Sequence, residues 1–189
     1  WLETVYLGIL VDDKMNIVKN SPTKEKAIRQ AINYGFDREK MVKYLRNNIG
    51  TPAHAGFVPH GVPSFDAGKI IGYKHDPEKA RELLYVAGFP EGKNLPVIKL
   101  STTPHYQQLC EYIQHELSDI GIKVEIDIFK EAVFRGLVDN SGANFFTKSW
   151  VADYPDAENF LGLFYSENFS PNGPNYTHFR NFEFDKLYN

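Results

Sequence analysis

Apolar and polar residues change rhythm several times along the chain, and each rhythm predicts an element. Residues 2–11, LETVYLGILV, are dense in branched and aromatic side chains and read as a strand, followed by a turn-rich passage over 12–22. Ser21-Pro22-Thr23 reads as a helix entry with Thr23 as its cap, and Ala27, Ile28, Ala31 and Ile32 recur at helical spacing as the inward stripe. Asp37 starts a second helix whose apolar face is Met41, Val42 and Leu45, with Gly35 separating the two. From 50 to 73, Pro52, Pro59 and Pro63 stand among glycines, a composition that interrupts helix and sheet ladders alike. This stretch is expected to be a long loop, with Phe57, Val58, Phe65, Ile70 and Ile71 as candidate apolar anchors.

The second half alternates more regularly. Asp76-Pro77 caps a helix through Ala80, Leu83, Leu84 and Ala87 that stops at Gly88, and residues 97–103 form a strand. Residues 105–119 form a helix with Leu109, Tyr112, Ile113 and Leu117 inward and Cys110 at the edge of that stripe; residues 122–129 are a strand of strict alternation. Gly121 lies where a helix hands over to a strand through a left-handed residue. A short helix over 131–138, a strand over 144–150, a helix over 156–164 and the first turn of a helix over 184–188 complete the reading. The order helix, strand, helix, strand argues an α/β layer with parallel pairing and right-handed crossovers.

Composition narrows the function classes. The 189 residues carry 21 Lys and Arg against 24 Asp and Glu, a net charge of −3 without a basic block, which gives no electrostatic reason to expect nucleic acid as a partner. No apolar run approaches the length needed to span a bilayer, so the chain is not itself membrane-spanning. A single cysteine, Cys110, forbids an internal disulfide and any cysteine-cluster metal site. The chain opens on WLETVYLGIL and closes on NFEFDKLYN, so both ends read as cut from a longer protein.

The chemistry-bearing residues point to binding. His54, His60, His75, His105, His115 and His178 are scattered, with no HExxH spacing, and no cofactor is expected. No GxSxG elbow, phosphate loop or dinucleotide fingerprint occurs, and no catalytic set is expected. The stretch from Trp150 to Asp156 is the most informative. A carboxylate just beyond the carboxyl end of a strand lies where open α/β sheets present ligands, so Asp153 is the first candidate, pairing with a ligand ammonium under cover of Trp150 and Tyr154. The competing reading is that Asp156 caps the next helix and Trp150 is core.

Six stretches carry a family resemblance: KAIRQAINYGFDREKMVKYL, the loop with GFVPHGVP, YKHDPEKARELLYVAGF, IQHELSDIGIKVEI, WVADYPDAENFL and NYTHFRNFEFDKLY. In this order they span nearly the whole length, and together the chain resembles the solute-binding proteins of bacterial peptide ABC importers, the oligopeptide- and dipeptide-binding family. The resemblance implies a periplasmic-binding-protein-like (type II) lobe, a mixed sheet flanked by helices, with residues 1–189 forming most of the carboxy-terminal ligand-binding lobe. It implies a peptide ligand, transmembrane permease subunits as partners, and an extracytoplasmic location, periplasmic or lipoprotein-anchored. In peptide-binding members the aspartate three places after the motif tryptophan holds the peptide α-ammonium, and that position here is Asp153.

The chain departs from the family pattern in three places. Thr147 stands where the familiar oligopeptide binder has an arginine, with Lys148 beside it as the substitute cation; Phe179 and Phe182 replace a usual tyrosine and proline. The ligand-binding set expected is therefore Asp153, Trp150, Tyr154 and Lys148. The alternatives are the same fold serving a nickel chelate, heme or a sugar, a hydrolase built on Asp153 and Asp156, and a partner-binding domain using Phe57 and Phe65.

Overall fold

The computed structural model describes residues 2–63 and 65–189. Its elements in chain order are β1 (Glu3–Ile9), α1 (Asn16–Lys19), α2 (Lys26–Tyr34), α3 (Arg38–Leu45), α4 (Pro77–Val86), β2 (Ile98–Thr102), α5 (Gln107–Ser118), β3 (Val124–Ile128), α6 (Glu131–Asp139), β4 (Phe145–Val151), α7 (Ala157–Leu161) and α8 (Phe182–Tyr188). Local chemistry accounts for most boundaries. Asp37, Asp76, Asp156 and Asn181 each accept backbone N–H bonds in the first turn of α3, α4, α7 and α8, satisfying donors that a helix start leaves free. Gly121 has φ +92, the left-handed handover expected between α5 and β3.

The sheet order is β1-β4-β2-β3, with β2 parallel to both β3 and β4, and β1 antiparallel to β4. The parallel core agrees with the sequence reading; β1 makes the sheet mixed. Right-handed crossovers explain the layers. From β2 the chain moves outward to β3 and then back past β2 to β4, so the two connecting helices must cover opposite faces. Accordingly, α5 contributes Cys110, Ile113 and Leu117 to a cluster with Ile28, Ile32, Leu84, Leu100 and Phe145, whereas α6 contributes Phe134 and Val138 to a second cluster with Phe146. The fold is a mixed α/β sheet flanked by helices, of the periplasmic-binding-protein-like kind. Each large side chain fully buried in these clusters contributes roughly 1.5–3 kcal/mol of transfer free energy.

Several expectations are corrected. The passage over 12–22 holds the short helix α1, and Thr23 is no helix cap: Ser21 Oγ accepts the Thr23 N–H, while the fully buried Thr23 hydroxyl donates to Asn144 Oδ1 at 2.6 Å, tying this entry to the start of β4. The helix expected over 156–164 is α-helical only for Ala157–Leu161 and continues as a 3-10 turn, Gly162–Phe164. In the loop over 50–73, Ile70 and Ile71 are exposed, the latter completely, so neither is an anchor. Buried Val62 is, and Phe57 lies edge-on to Tyr6, Phe160 and Phe164. A proline- and glycine-rich stretch carries no periodicity from which inward positions can be read.

Candidate functional site

β4 outruns its parallel neighbour. Its pairing with β2 covers Phe145 and Phe146, and beyond Thr147 it continues to Val151 with only β1 alongside. In an antiparallel pair, alternate residues exchange both backbone bonds. The Leu10 N–H to Asn144 and Ala152 N–H to Leu2 bonds fix the even-numbered residues of β4 as those facing β1. Ser149 and Val151 therefore turn their N–H and C=O groups toward the open side, where no described backbone group covers them. This free edge lies past the carboxyl end of β2, between strands whose outgoing connections diverge, the position at which open α/β sheets hold ligands.

The segment 152–155 carries Asp153 just beyond that edge. The Asp153 carboxylate is exposed and has no ion-pair partner among the described residues. Behind it, Oδ1 of the buried Asn159 side chain of α7 accepts the Trp150 indole N–H at 2.8 Å and the Asp153 N–H at 3.4 Å. Tyr154 is half-exposed and its hydroxyl donates to Glu158, which also accepts the hydroxyl of Tyr188 from α8. These hydroxyls, Tyr154 first, hold the Glu158 carboxyl below the usual carboxylate range, and sharing the Glu158 carboxylate pushes Tyr154 up. Asp156 Oδ1 accepts the Glu158 N–H as the cap of α7, the competing role that the sequence offers for it.

Lys148 falls in a different group. Side chains alternate along a strand, so it lies on the face opposite Thr147 and shares the face of Trp150, roughly 7 Å along β4. Its ammonium is 3.7 Å from Asp139 Oδ1 and 3.7 Å from the ring centre of Tyr176. Burial lowers its pKa, against the raising effect of Asp139. The neighbouring Tyr6 hydroxyl is buried without a hydrogen-bond partner among the described residues, and burial pushes it up, with Tyr176 adding to the effect. Thr147 is fully buried and its hydroxyl meets that of Thr102 at 2.6 Å. Lys148 therefore cannot point where a side chain at position 147 would.

The structure thus brings Trp150, Asp153 and Tyr154 onto one support and sets Lys148 apart from it. Asn159 is the residue the sequence reading missed, and Glu158, read there only beside Asp153 and Asp156 as acid or base, instead braces Tyr154 and Tyr188. Asn159 had a signal: an amide directly before apolar Phe160, on a helix following the Trp150 motif, must find partners when buried. Among the described residues no group of three or more His, Cys, Asp or Glu side chains could hold a metal ion, and no helix is long and apolar enough to cross a membrane. Phe65 lies edge-on to His60 and Phe57 belongs to the aromatic cluster under the loop.

Comparison with known proteins gives the family. Residues 3–172 match the family described as bacterial extracellular solute-binding proteins, family 5 Middle. Heme-binding protein A of Haemophilus influenzae is 30% identical over 177 residues, covering 90% of this chain and 31% of the relative. The glutathione-binding protein GsiB of Escherichia coli is 30% identical over 163 residues, covering 83% of this chain and 31% of the relative. Among solved structures, the periplasmic binding protein DppA from Helicobacter pylori in complex with peptide STSA superposes with a TM-score of 0.82 at 23% identity, covering 99% of this chain and 35% of that one. HbpA2 from Haemophilus parasuis gives a TM-score of 0.84 at 23% identity, with 99% and 36% coverage. The chain spans about a third of the length of these relatives. With all of β1 through β4 inside the matched span, the chain belongs to the bacterial extracellular solute-binding proteins of family 5.

Proposed function

We propose that the chain is most of the carboxy-terminal ligand-gripping lobe of the extracytoplasmic solute-binding component of a peptide ABC importer, and that it binds oligopeptides or dipeptides without a chemical step. One observation carries the reading: an exposed carboxylate, Asp153, without a cation partner among the described residues stands at the end of a strand whose outer edge offers the free backbone groups of Ser149 and Val151. A peptide lying along that edge places its main chain on β4 as an added strand and its α-ammonium at Asp153, beside Trp150 and Tyr154. Lys148, on the face of Trp150, is a cation available to an acidic group of the ligand if its contact with Asp139 yields. Coverage of a third of the relatives' length supports the single-lobe assignment, the remaining lobe supplying the opposite wall of the cleft and the surfaces for permease subunits. A glutathione-binding relative and the fold of a peptide-bound one support a peptide ligand.

A second reading, heme as the solute, is favoured by the 30% identity to Heme-binding protein A. Calorimetry on the complete receptor separates the two. Asp153→Asn keeps the volume but removes the charge that balances a desolvated ammonium, and losing one partner of such a pair typically costs about 2–5 kcal/mol in binding. The expected result is that loss for peptides with a free amino terminus and little change for acetylated ones; heme affinity unaffected by Asp153→Asn, with no peptide binding, would support the second reading.

A further inference from the structure

The support beneath Asp153 is a single oxygen atom. Asn159 is 9% exposed, in the first turns of α7, and its Oδ1 accepts both the Trp150 indole N–H and the Asp153 backbone N–H. The other bonds at the turn are from Ala152 N–H to Leu2 O at 2.9 Å, from Asp156 N–H to Tyr154 O at 2.9 Å and from the Tyr154 hydroxyl to Glu158, while the Asp153 carboxylate has no ion-pair partner among the described residues. One oxygen thus holds the indole at 2.8 Å and reaches the Asp153 N–H at the longer distance of 3.4 Å, linking the tilt of Trp150 to the turn that carries Asp153.

We propose that Asn159 is a positioning residue that aims Asp153 and thereby determines selectivity for a free amino terminus. This rests on the reading that Asp153 meets the ligand ammonium. Two features of the residue type fit the role. An amide oxygen can accept two hydrogen bonds, which the indole and the amide use. The side chain is also buried, so its acceptor oxygen is fixed behind the turn while the Asp153 carboxylate stays on the exposed side. A leucine of similar volume would leave two donors without an acceptor and free the turn, so the carboxylate would no longer be held over the β4 edge. The replacement Asn159→Asp keeps an acceptor oxygen at the same place.

The test compares the complete receptor and its Asp153→Asn, Asn159→Leu and Asn159→Asp variants in calorimetry with glutathione and Ala-Ala-Ala, each with a free and with an acetylated amino terminus. Thermal melting checks that each variant is folded. The expected result is that Asn159→Leu reduces the preference for the free amino terminus by about tenfold or more, with the affinity for acetylated ligands little altered, while Asn159→Asp retains the preference. A folded Asn159→Leu variant with undiminished preference overturns the positioning role and leaves the Asp153 reading standing. No preference in the unmutated receptor, or no binding of either peptide, overturns the Asp153 reading instead. A ligand-free measurement decides the geometry even if Asn159→Leu does not fold. In Asn159→Asp, the indole N–H resonance of Trp150 should shift as the new carboxyl group titrates, a shift absent from the unmutated protein; an indole resonance that ignores the titration overturns the shared-acceptor arrangement on which the proposal depends.

Discussion

The hydroxyls of Thr102 and Thr147 meet at 2.6 Å in the interior, at the last residue of β2 and the point where β4 runs on beside β1 alone. Both residues are fully buried. Replacing Thr147 with valine preserves the shape and leaves the Thr102 hydroxyl with the Thr103 carbonyl at 3.5 Å, at the outer limit of a hydrogen bond, and the weakly bonding Cys110 thiol. Either single valine variant should lose about 1–2 kcal/mol in urea denaturation, and the double variant should lose clearly less than the sum, because it leaves no orphaned hydroxyl. Strict additivity would show that the two hydroxyls do not depend on each other.

Cys110 lies deeper than its place in the sequence suggests. Expected at the edge of the apolar stripe of α5, it is fully buried in the main cluster, and burial pushes its thiol pKa up, against lowering contacts from Thr102 and Thr147. Its reaction with an aromatic disulfide reagent should therefore require unfolding and accelerate with denaturant in parallel with the loss of far-ultraviolet dichroism. Fast, complete modification in native buffer would contradict this burial.

The elements that sequence resolved are those with their own period or cap. The stripe Ile28, Ala31, Ile32 in α2, the Asp76-Pro77 start of α4 and the alternation of β3 each encode their structure within a few residues. What stayed hidden depends on partners distant in the chain. Thr23 looks like a helix cap locally, yet its hydroxyl is taken by Asn144, 121 residues away. The antiparallel placement of β1 follows from its pairing with β4 and not from any pattern within residues 3–9. At the candidate site, the placement of Asp153 just past the end of a strand that carries Trp150 was legible from the strand pattern alone. Asn159 and Glu158 act through the residues they hold, and Lys148 faces the opposite side from Thr147 because adjacent strand residues alternate.

Glu158 gives the fold a dependence on acid. With its carboxyl held below the usual range by the hydroxyls of Tyr154 and Tyr188, it is more readily ionised in the folded than in the unfolded chain. A depressed folded pKa contributes stability that is fully present above the unfolded value of about 4.3 and disappears as pH falls through the folded value. Melting temperatures of the unmutated protein and Glu158→Gln should therefore differ most near neutrality and converge in acid. A gap that stays constant below pH 4 would assign the effect to packing and not to charge.

Two glycines should respond to alanine in opposite directions. Gly72 runs so close to the loop's earlier strand that a Cβ there would lie 1.6 Å from the His54 carbonyl oxygen and 2.7 Å from its carbon, both backbone atoms that cannot rotate aside. The same crossing is held by His54 Nδ1 at 3.1 Å from Tyr73 O, while His54 Nε2 reaches Glu39 of α3 at 3.3 Å. Gly72→Ala must push these segments apart and break the attachment of the loop to α3. Because the loop is largely exposed and contributes no residue to the buried set of either apolar cluster, the damage should be local: limited proteolysis within residues 50–73 should become severalfold faster while the thermal midpoint of the whole changes little. Gly136 sits on the exposed side of α6 with nothing within 4 Å of a Cβ, so Gly136→Ala removes backbone freedom from the unfolded chain without a clash and should stabilise by roughly 0.5–1 kcal/mol. If Gly72→Ala left proteolysis unchanged, the close crossing at His54 would not be what holds the loop in place.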